Sequence, residues 1–121
     1  MARWARVVNQ RGDLLLARAK WCQSFGSRLR GLMFRPGLAA DEGLILVQPR
    51  ASIAASSLHM LFMNFAIAAI WLDDAGQVVH TALARPWRLY YASPRPARYV
   101  LEAPPALLDR VAVGDRLKFE E

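Results

Sequence analysis

The chain has one cysteine, Cys22, among its 121 residues. A lone thiol excludes an internal disulfide and a multi-thiolate metal site, and it is compatible with a reducing compartment. Lysine is scarce as well: fourteen of the sixteen cations are arginine. Arginine can grip phosphate or carboxylate through two parallel bonds, although the simplest consequence of the surplus is a solvated basic surface. Histidine occurs only as His59 and His80. No acid or thiol stands near either at ligand spacing, so no metal site and no cofactor are predicted. No apolar segment follows the basic opening Met1-Ala-Arg-Trp-Ala-Arg6, so no secretory signal is read and a cytoplasmic location is expected. Repeats, linkers and low-complexity tracts are missing, and residues 1–121 are read as a single domain.

Charge is missing from the middle of the chain. From Ala51 to Leu72 there are 22 positions without a charged residue, and about 20 apolar residues suffice to cross a bilayer. Ser52, Ser56, Ser57, His59 and Asn64 interrupt the stretch, leaving Leu58–Leu72 too short for a span. Asp73-Asp74-Ala75-Gly76 then supplies turn chemistry, because Gly tolerates positive φ and Asp bonds its own backbone. A hairpin of Ile67–Asp73 against Gln77–Ala82 is predicted, with no membrane span. An apolar run on both faces marks a central strand buried from two sides. The ends are basic, +7 over residues 1–35 and +2 over 85–121, and the middle carries −3, giving +6 in all.

The chain as a whole is 55% hydrophobic and 21% charged, a globular composition. Trp4–Asn9 and Leu14–Lys20 read as strands around a Gln10–Asp13 turn. Ser24 is a candidate N-cap for a short helix near residues 24–34, with Phe25, Leu29 and Leu32 or Met33 on one face and Arg28 and Arg30 off it. Arg35-Pro36-Gly37 ends that helix. Gly43–Val47 reads as a buried strand and Gln48–Ser57 as a polar loop. Leu83–Ala97 reads as one long surface loop. Arg98–Glu102 is a strand, Pro104–Arg110 a turn or short helix opened by proline, and Asp115–Phe119 the last strand. About seven strands with one helix cannot supply the crossovers of an all-parallel sheet. The expected class is α+β, mainly antiparallel, with a small curled or two-layer, barrel-like sheet.

An ordered set of residues carries a family resemblance over about Ala17–Phe119: Gly31-Leu-Met-Phe-Arg35, Gly43-Leu-Ile-Leu46, Leu58-His59 with Met63, Trp71-Leu-Asp73 with Gly76, Pro86-Trp-Arg88, Val100-Leu-Glu102 and Val113-Gly-Asp115. The chain resembles the family called domain of unknown function one-nine-two. The resemblance implies a compact, strand-rich, bacterial-type small domain without an assigned activity. The sequence departs from the pattern at Met60, where the related branch has Thr, at Pro105, where it often has Gly, and at Ala68, where it has an acid. A function needing that acid is in doubt here.

The candidate groups follow. His59 on an apolar strand must find a partner; it is either a core group or a base or ligand at a pocket mouth. Glu102, inside a strand, is expected to pair with Arg35 or Arg88, the sharper alternative being a general acid. Met63 lies beside them in the ordered set. Asp115 is read as a turn residue and Cys22 as a structural thiol. Arg85, Trp87, Arg88, Tyr90, Tyr91 and Arg95 interleave guanidiniums with rings, a combination that anchors protein interfaces, or grips single-stranded nucleic acid, or simply covers a core.

The leading reading is a non-catalytic accessory domain. It binds a protein partner or a small anionic ligand through the Arg/aromatic loop (Arg85, Trp87, Tyr90, Tyr91, Arg95) and a pocket near His59 lined by Arg35, Met63, Arg88 and Glu102. One alternative is a small enzyme with His59 as base and Glu102 as acid or orienting group, which requires both side chains to reach one cleft. The other is weak nucleic-acid binding, which requires affinity that falls steeply with salt.

Overall fold

A computed structural model of the chain describes residues 3–24, 27–28, 31–33 and 35–121. Its strands are β1 Trp4–Val8, β2 Leu14–Cys22, β3 Glu42–Ser52, β4 Ile67–Leu72, β5 Val78–Ala84, β6 Ala97–Ala103 and β7 Lys118–Glu120, with a 3-10 helix at Pro105–Asp109. They form one sheet in the order β5-β4-β6-β3-β2-β1-β7. Every neighbouring pair is antiparallel except β2 and β3, which run parallel with Lys20 opposite Leu44. A parallel pair needs a crossover, and residues 23–41 supply it.

The sheet curls until its two edges touch. Gln77 bridges Arg116. The Val78 N–H donates to Asp115 O at 2.8 Å and the Leu117 N–H to Gly76 O at 2.9 Å. Gly76 has φ +82°, and a Cβ there would lie 2.6 Å from Leu117 O. Only glycine both adopts that conformation readily and lets the two chain segments come so close. The preceding turn is built as expected: Asp73 Oδ1 accepts the N–H groups of Ala75 and Gln77, each at 2.9 Å.

Alternation along the central strands sorts their side chains into two apolar layers. Ile45, Val47, Ala68, Ile70, Leu72, Leu101 and Ala103 point into the curl, where Leu107 of the 3-10 helix and Val111 close one end. Leu44, Leu46, Ile67, Ala69, Trp71 and Val100 point outward, under Leu32, Leu58, Met60 and Met63. All six residues of β4 are buried, so the central strand is covered on both sides. The core that gives the fold its stability is also what roofs its outer face.

Several elements differ from their predicted extents. Strand β3 continues to Ser52 where a loop is predicted from Gln48; a register break between Val47 and Ser52 lets Pro49 sit in it without a ladder donor. Leu58–Ala66 is not strand: it is irregular chain whose apolar side chains form the outer layer, bridged only through Leu58 to Tyr91. His59 therefore lies on a loop, not on a strand. The last strand is shorter than predicted because residues 114–117 are engaged by the β4–β5 hairpin.

The predicted helix near residues 24–34 falls partly on Phe25, Gly26, Leu29, Arg30 and Phe34, which lie outside the described residues. In the described part, Ser24 Oγ accepts the Ser27 N–H at 3.1 Å, the N-cap bond. Helical i→i−4 bonds join Arg28 to Ser24 and Gly31 to Ser27. Among the described residues no helix is long and apolar enough to cross a membrane.

Candidate functional site

Strand β6 lies between β3 and β4, with Glu102 opposite Leu44 on one side and Ala69 on the other. Strand alternation sends Leu101 and Ala103 into the curl and Glu102 to the outer face. There it is 6% exposed, and its Oε1 is fully buried with no hydrogen-bond partner among the described residues. Burial pushes its carboxyl up to about 7, because removing a carboxylate from water disfavours the charged form.

Glu102 forms part of the floor of a cavity of about 240 Å³ between the sheet and the segments that cover it. The apolar walls are Leu32, Met33, Leu46, Leu58, Met60 and Met63; the polar groups are Arg28, Gln48, Ser57, His59 and Glu102. Gly31 borders the same space, and a Cβ on it would come 3.5 Å from Glu102 Oε1. His59 is half-buried on the covering loop. Its Nδ1 accepts the Leu61 N–H at 3.3 Å, which leaves Nε2 to carry the ring proton in the neutral form.

The predicted pairing of Glu102 with Arg35 or Arg88 does not occur. Arg35 Nη2 donates instead to both carboxylate oxygens of Glu42, each at 3.2 Å. Glu42 also accepts the Ala39 N–H at 3.3 Å and has Arg18 at 3.7 Å. Burial acts to raise its carboxyl, but the Ala39 bond, the Arg35 bond and the charges of Arg35 and Arg18 together hold it below the usual range. Arg35 precedes β3 and meets the first residue of that strand, while Glu102 lies further along the sheet. Arg88 is exposed. Of the predicted ligand residues, His59, Met63 and Glu102 share the cavity, and Arg35 and Arg88 do not line it.

Three polar wall groups, Arg28, Gln48 and Ser57, were not among the predicted site residues. Arg28 carries the clearest missed signal. It lies off the predicted apolar face of its helix, and its Nη1 donates to Gln23 O at 2.7 Å and to Val47 O at 3.1 Å. Glycine one turn later, at Gly31, marks where the chain approaches the sheet.

The Arg/aromatic loop is strapped to the cavity's covering segment. Leu58 and Tyr91 exchange two main-chain bonds at 2.8 Å, and Met60 accepts from Trp87 at 2.8 Å and donates to Arg88 at 2.7 Å. Tyr91 Oη accepts the Arg85 N–H at 2.9 Å and Ser93 Oγ the Arg95 N–H at 3.1 Å. Trp87 and Tyr90 are exposed at 55% and 65%, and Trp87 meets Phe62 edge-on at 5.4 Å. Both rings of that pair stand on left-handed backbone, φ 65° and 63°.

The remaining candidates have structural settings. His80 packs on Trp71 at 5.2 Å. Among the described residues no group of three His, Cys, Asp or Glu could hold a metal ion. Cys22 is buried, and burial raises its thiol. Asp115 Oδ2 accepts the Ala112 N–H at 3.0 Å, as a turn residue does.

A model of the DUF192 family, described as an uncharacterized ACR, matches residues 6–119. The chain belongs to the DUF192 family. Among its relatives is a UPF0127 protein of Pyrococcus furiosus, 35% identical over 111 residues, covering 90% of this chain and 92% of the relative. Another, from Thermococcus sibiricus, is 33% identical over 117 residues, covering 94% of this chain and 74% of the relative. These relatives are archaeal, so the expected bacterial character of the domain gains no support from them. Two crystal structures share the fold. One, a "putative transcription regulator" from Sinorhizobium meliloti 1021, matches with TM-score 0.85 and 22% identity over 98% of this chain and 94% of that one. The other, a protein of unknown function from Novosphingobium aromaticivorans, gives TM-score 0.83 and 21% identity over 97% and 84%. As a DUF192 member, the chain combines a curled sheet with a covered outer face, and the cavity lies under that cover.

Proposed function

We propose that this DUF192 domain is a small-ligand receptor whose site is the cavity floored by Glu102, and that the Arg/aromatic loop beside it is a docking surface for a protein partner. The observation that carries the reading is the buried Glu102 oxygen with no donor among the described residues. An unpaired carboxyl at that depth costs free energy, and a bound ligand's donor would remove the cost. Perturbed carboxyls in apolar clefts mark functional sites more often than chance. The main-chain bonds from Leu58 and Met60 to Trp87, Arg88 and Tyr91 support a link between the two surfaces, since the segment roofing the cavity also holds the loop. The expected anion-binding role of Arg35 is not retained, because Glu42 already occupies that guanidinium. The experiment is a fragment screen read by chemical-shift changes at Leu58–Met63, repeated on Glu102→Gln. Hits at those amides that Glu102→Gln weakens support the reading; a screen without such shifts removes it.

A second reading stays in view because His59 and Glu102 line one cavity. A carboxyl near 7 exchanges protons readily at neutral pH, so this pair could serve acid–base chemistry on a bound molecule. Turnover would have to vanish in both His59→Ala and Glu102→Gln.

A further inference from the structure

Among the described residues, two charged groups line the cavity without a partner of opposite sign. Glu102 Oε1 is buried and lacks a donor among the described residues. Arg28 is half-buried, with Nη1 held by the Gln23 and Val47 carbonyls, and among the described residues no carboxylate pairs with it. Carbonyl oxygens orient a guanidinium but do not neutralise it. They also tether Arg28, which cannot swing across to Glu102 without giving them up. Arg35 and Glu42, by contrast, meet directly.

The geometry points to a small zwitterion of the amino-acid class as the ligand: a primary ammonium against Glu102, a carboxylate against Arg28, and a short apolar body on the Leu and Met walls. This rests on the cavity being a ligand site. A simple amine would answer Glu102 and leave Arg28 unmatched. A simple anion would do the reverse and bring a second negative charge toward a buried carboxyl. One molecule carrying both ends satisfies both, through charge-assisted bonds, which are the strong ones. The cavity, at about 240 Å³, is smaller than the ~300–1,000 Å³ typical of drug-sized sites, which fits a free amino acid and not a peptide. Gly31 leaves the space above Glu102 open, since a Cβ there would stand 3.5 Å from Oε1. An ammonium would also favour the ionised carboxyl, so binding should release a proton when it takes place near neutral pH.

The test titrates the isotope-labelled full chain with leucine, isopentylamine and isocaproate, which share a hydrocarbon body and differ in their charged ends. Leucine is expected to shift the Leu58–Met63 amides and to bind at least about tenfold more tightly than either of the others, as a lost charge-assisted bond implies. E102Q should weaken leucine about tenfold or more and abolish the response to isopentylamine. R28Q should weaken leucine and isocaproate and leave isopentylamine unchanged. Isocaproate binding as well as leucine, leucine binding no better than isopentylamine, or leucine affinity unmoved by E102Q, each overturns the zwitterion and leaves the cavity as a ligand site. Silence from all three at millimolar concentration also overturns it. A parallel set of uncharged fragments then decides the cavity itself: shifts at the same amides keep the ligand reading, and their absence removes it.

Discussion

Glu42 and Glu102 are both buried on neighbouring strands, β3 and β6, and are treated in opposite ways. Glu42 has Arg35 on both oxygens, the Ala39 N–H and Arg18 nearby. Glu102 Oε1 has no partner among the described residues. One carboxylate is part of the scaffold and gains from it. The other is carried at a cost by a fold that has the means to pair such a group, which is why it is read as belonging to a site.

Glu102→Gln should make the protein more stable above neutral pH. The folded carboxyl titrates near 7, above its unfolded value of 4.5, so between those values the folded state binds more protons than the unfolded one. Stability therefore falls as pH rises from about 4.5 toward 7 and levels off beyond. Removing the group should flatten that slope and stabilise the protein by up to about 3 kcal/mol at pH 8. Thermal melts of both proteins from pH 4 to pH 8 measure it; parallel curves would mean Glu102 is satisfied in solution.

Arg35→Ala should act with the opposite pH dependence. Glu42 is held below its ordinary value, so its pairing stabilises the fold above pH 4.5 and is lost as pH falls through the folded value. Because Arg35 is partly exposed, the expected cost is about 1–2 kcal/mol at pH 7, shrinking in acid. Urea denaturation at pH 7 and pH 3 checks both the size and the trend.

The sheet was legible because its strands alternate or run apolar between turn residues. Asp73–Gly76 marked the β4–β5 hairpin, and the apolar run into Leu72 marked the strand buried on both faces. Leu58–Ala66 misled because chain that roofs a sheet is as apolar as the strand it covers, and composition does not separate them. The site was half legible. His59, Met63 and Glu102 stood out as polar or adaptable groups in apolar surroundings, and the cavity brings them together. The partner of Arg35 was not, since Glu42 follows Asp41 ahead of the predicted Gly43–Val47 strand and only the β2–β3 register, which sets it opposite Arg18, brings it into the sheet as a buried carboxylate. Arg28 was hidden for a similar reason: its carbonyl acceptor on Val47 is remote in sequence and invisible to helix periodicity.

His59→Ala should leave the fold nearly intact. The ring is half-buried, and its one side-chain hydrogen bond described is the long one from Leu61, so the cost should stay near 1 kcal/mol. A core histidine would cost several times more. Unchanged melting with altered ligand response places the ring at the cavity mouth; a large loss of stability assigns it to the core.

Gly43→Ala should force two central strands of the sheet apart. A Cβ there would lie 2.6 Å from Glu102 O and 2.8 Å from Leu16 Cδ1. The side chain could yield, but the carbonyl belongs to β6, so β3 and β6 must separate beside the cavity floor. Overpacking of this kind costs about 1–3 kcal/mol, and a melting temperature lowered by several degrees would show it.

Trp87→Gly tests whether the exposed rings are there for the fold. Trp87 occupies left-handed backbone at φ 65° and is 55% exposed. Releasing a bulky residue from that conformation should gain about 1 kcal/mol. Losing the edge-on contact with Phe62 should cost about 0.5–1.5 kcal/mol. The two nearly cancel, so Trp87→Gly should melt within a few degrees of the parent, whereas Trp87→Ala keeps the strained backbone, loses the ring and should melt lower than either. Parity of Trp87→Gly with the parent would mean that the contact with Phe62 only offsets the strain of the backbone that carries it, so the ring brings the domain no net stability, which leaves contact with a partner as its use. A large loss of stability in Trp87→Gly would instead make the ring part of the roof over the cavity, and the docking role assigned to this loop would go with it.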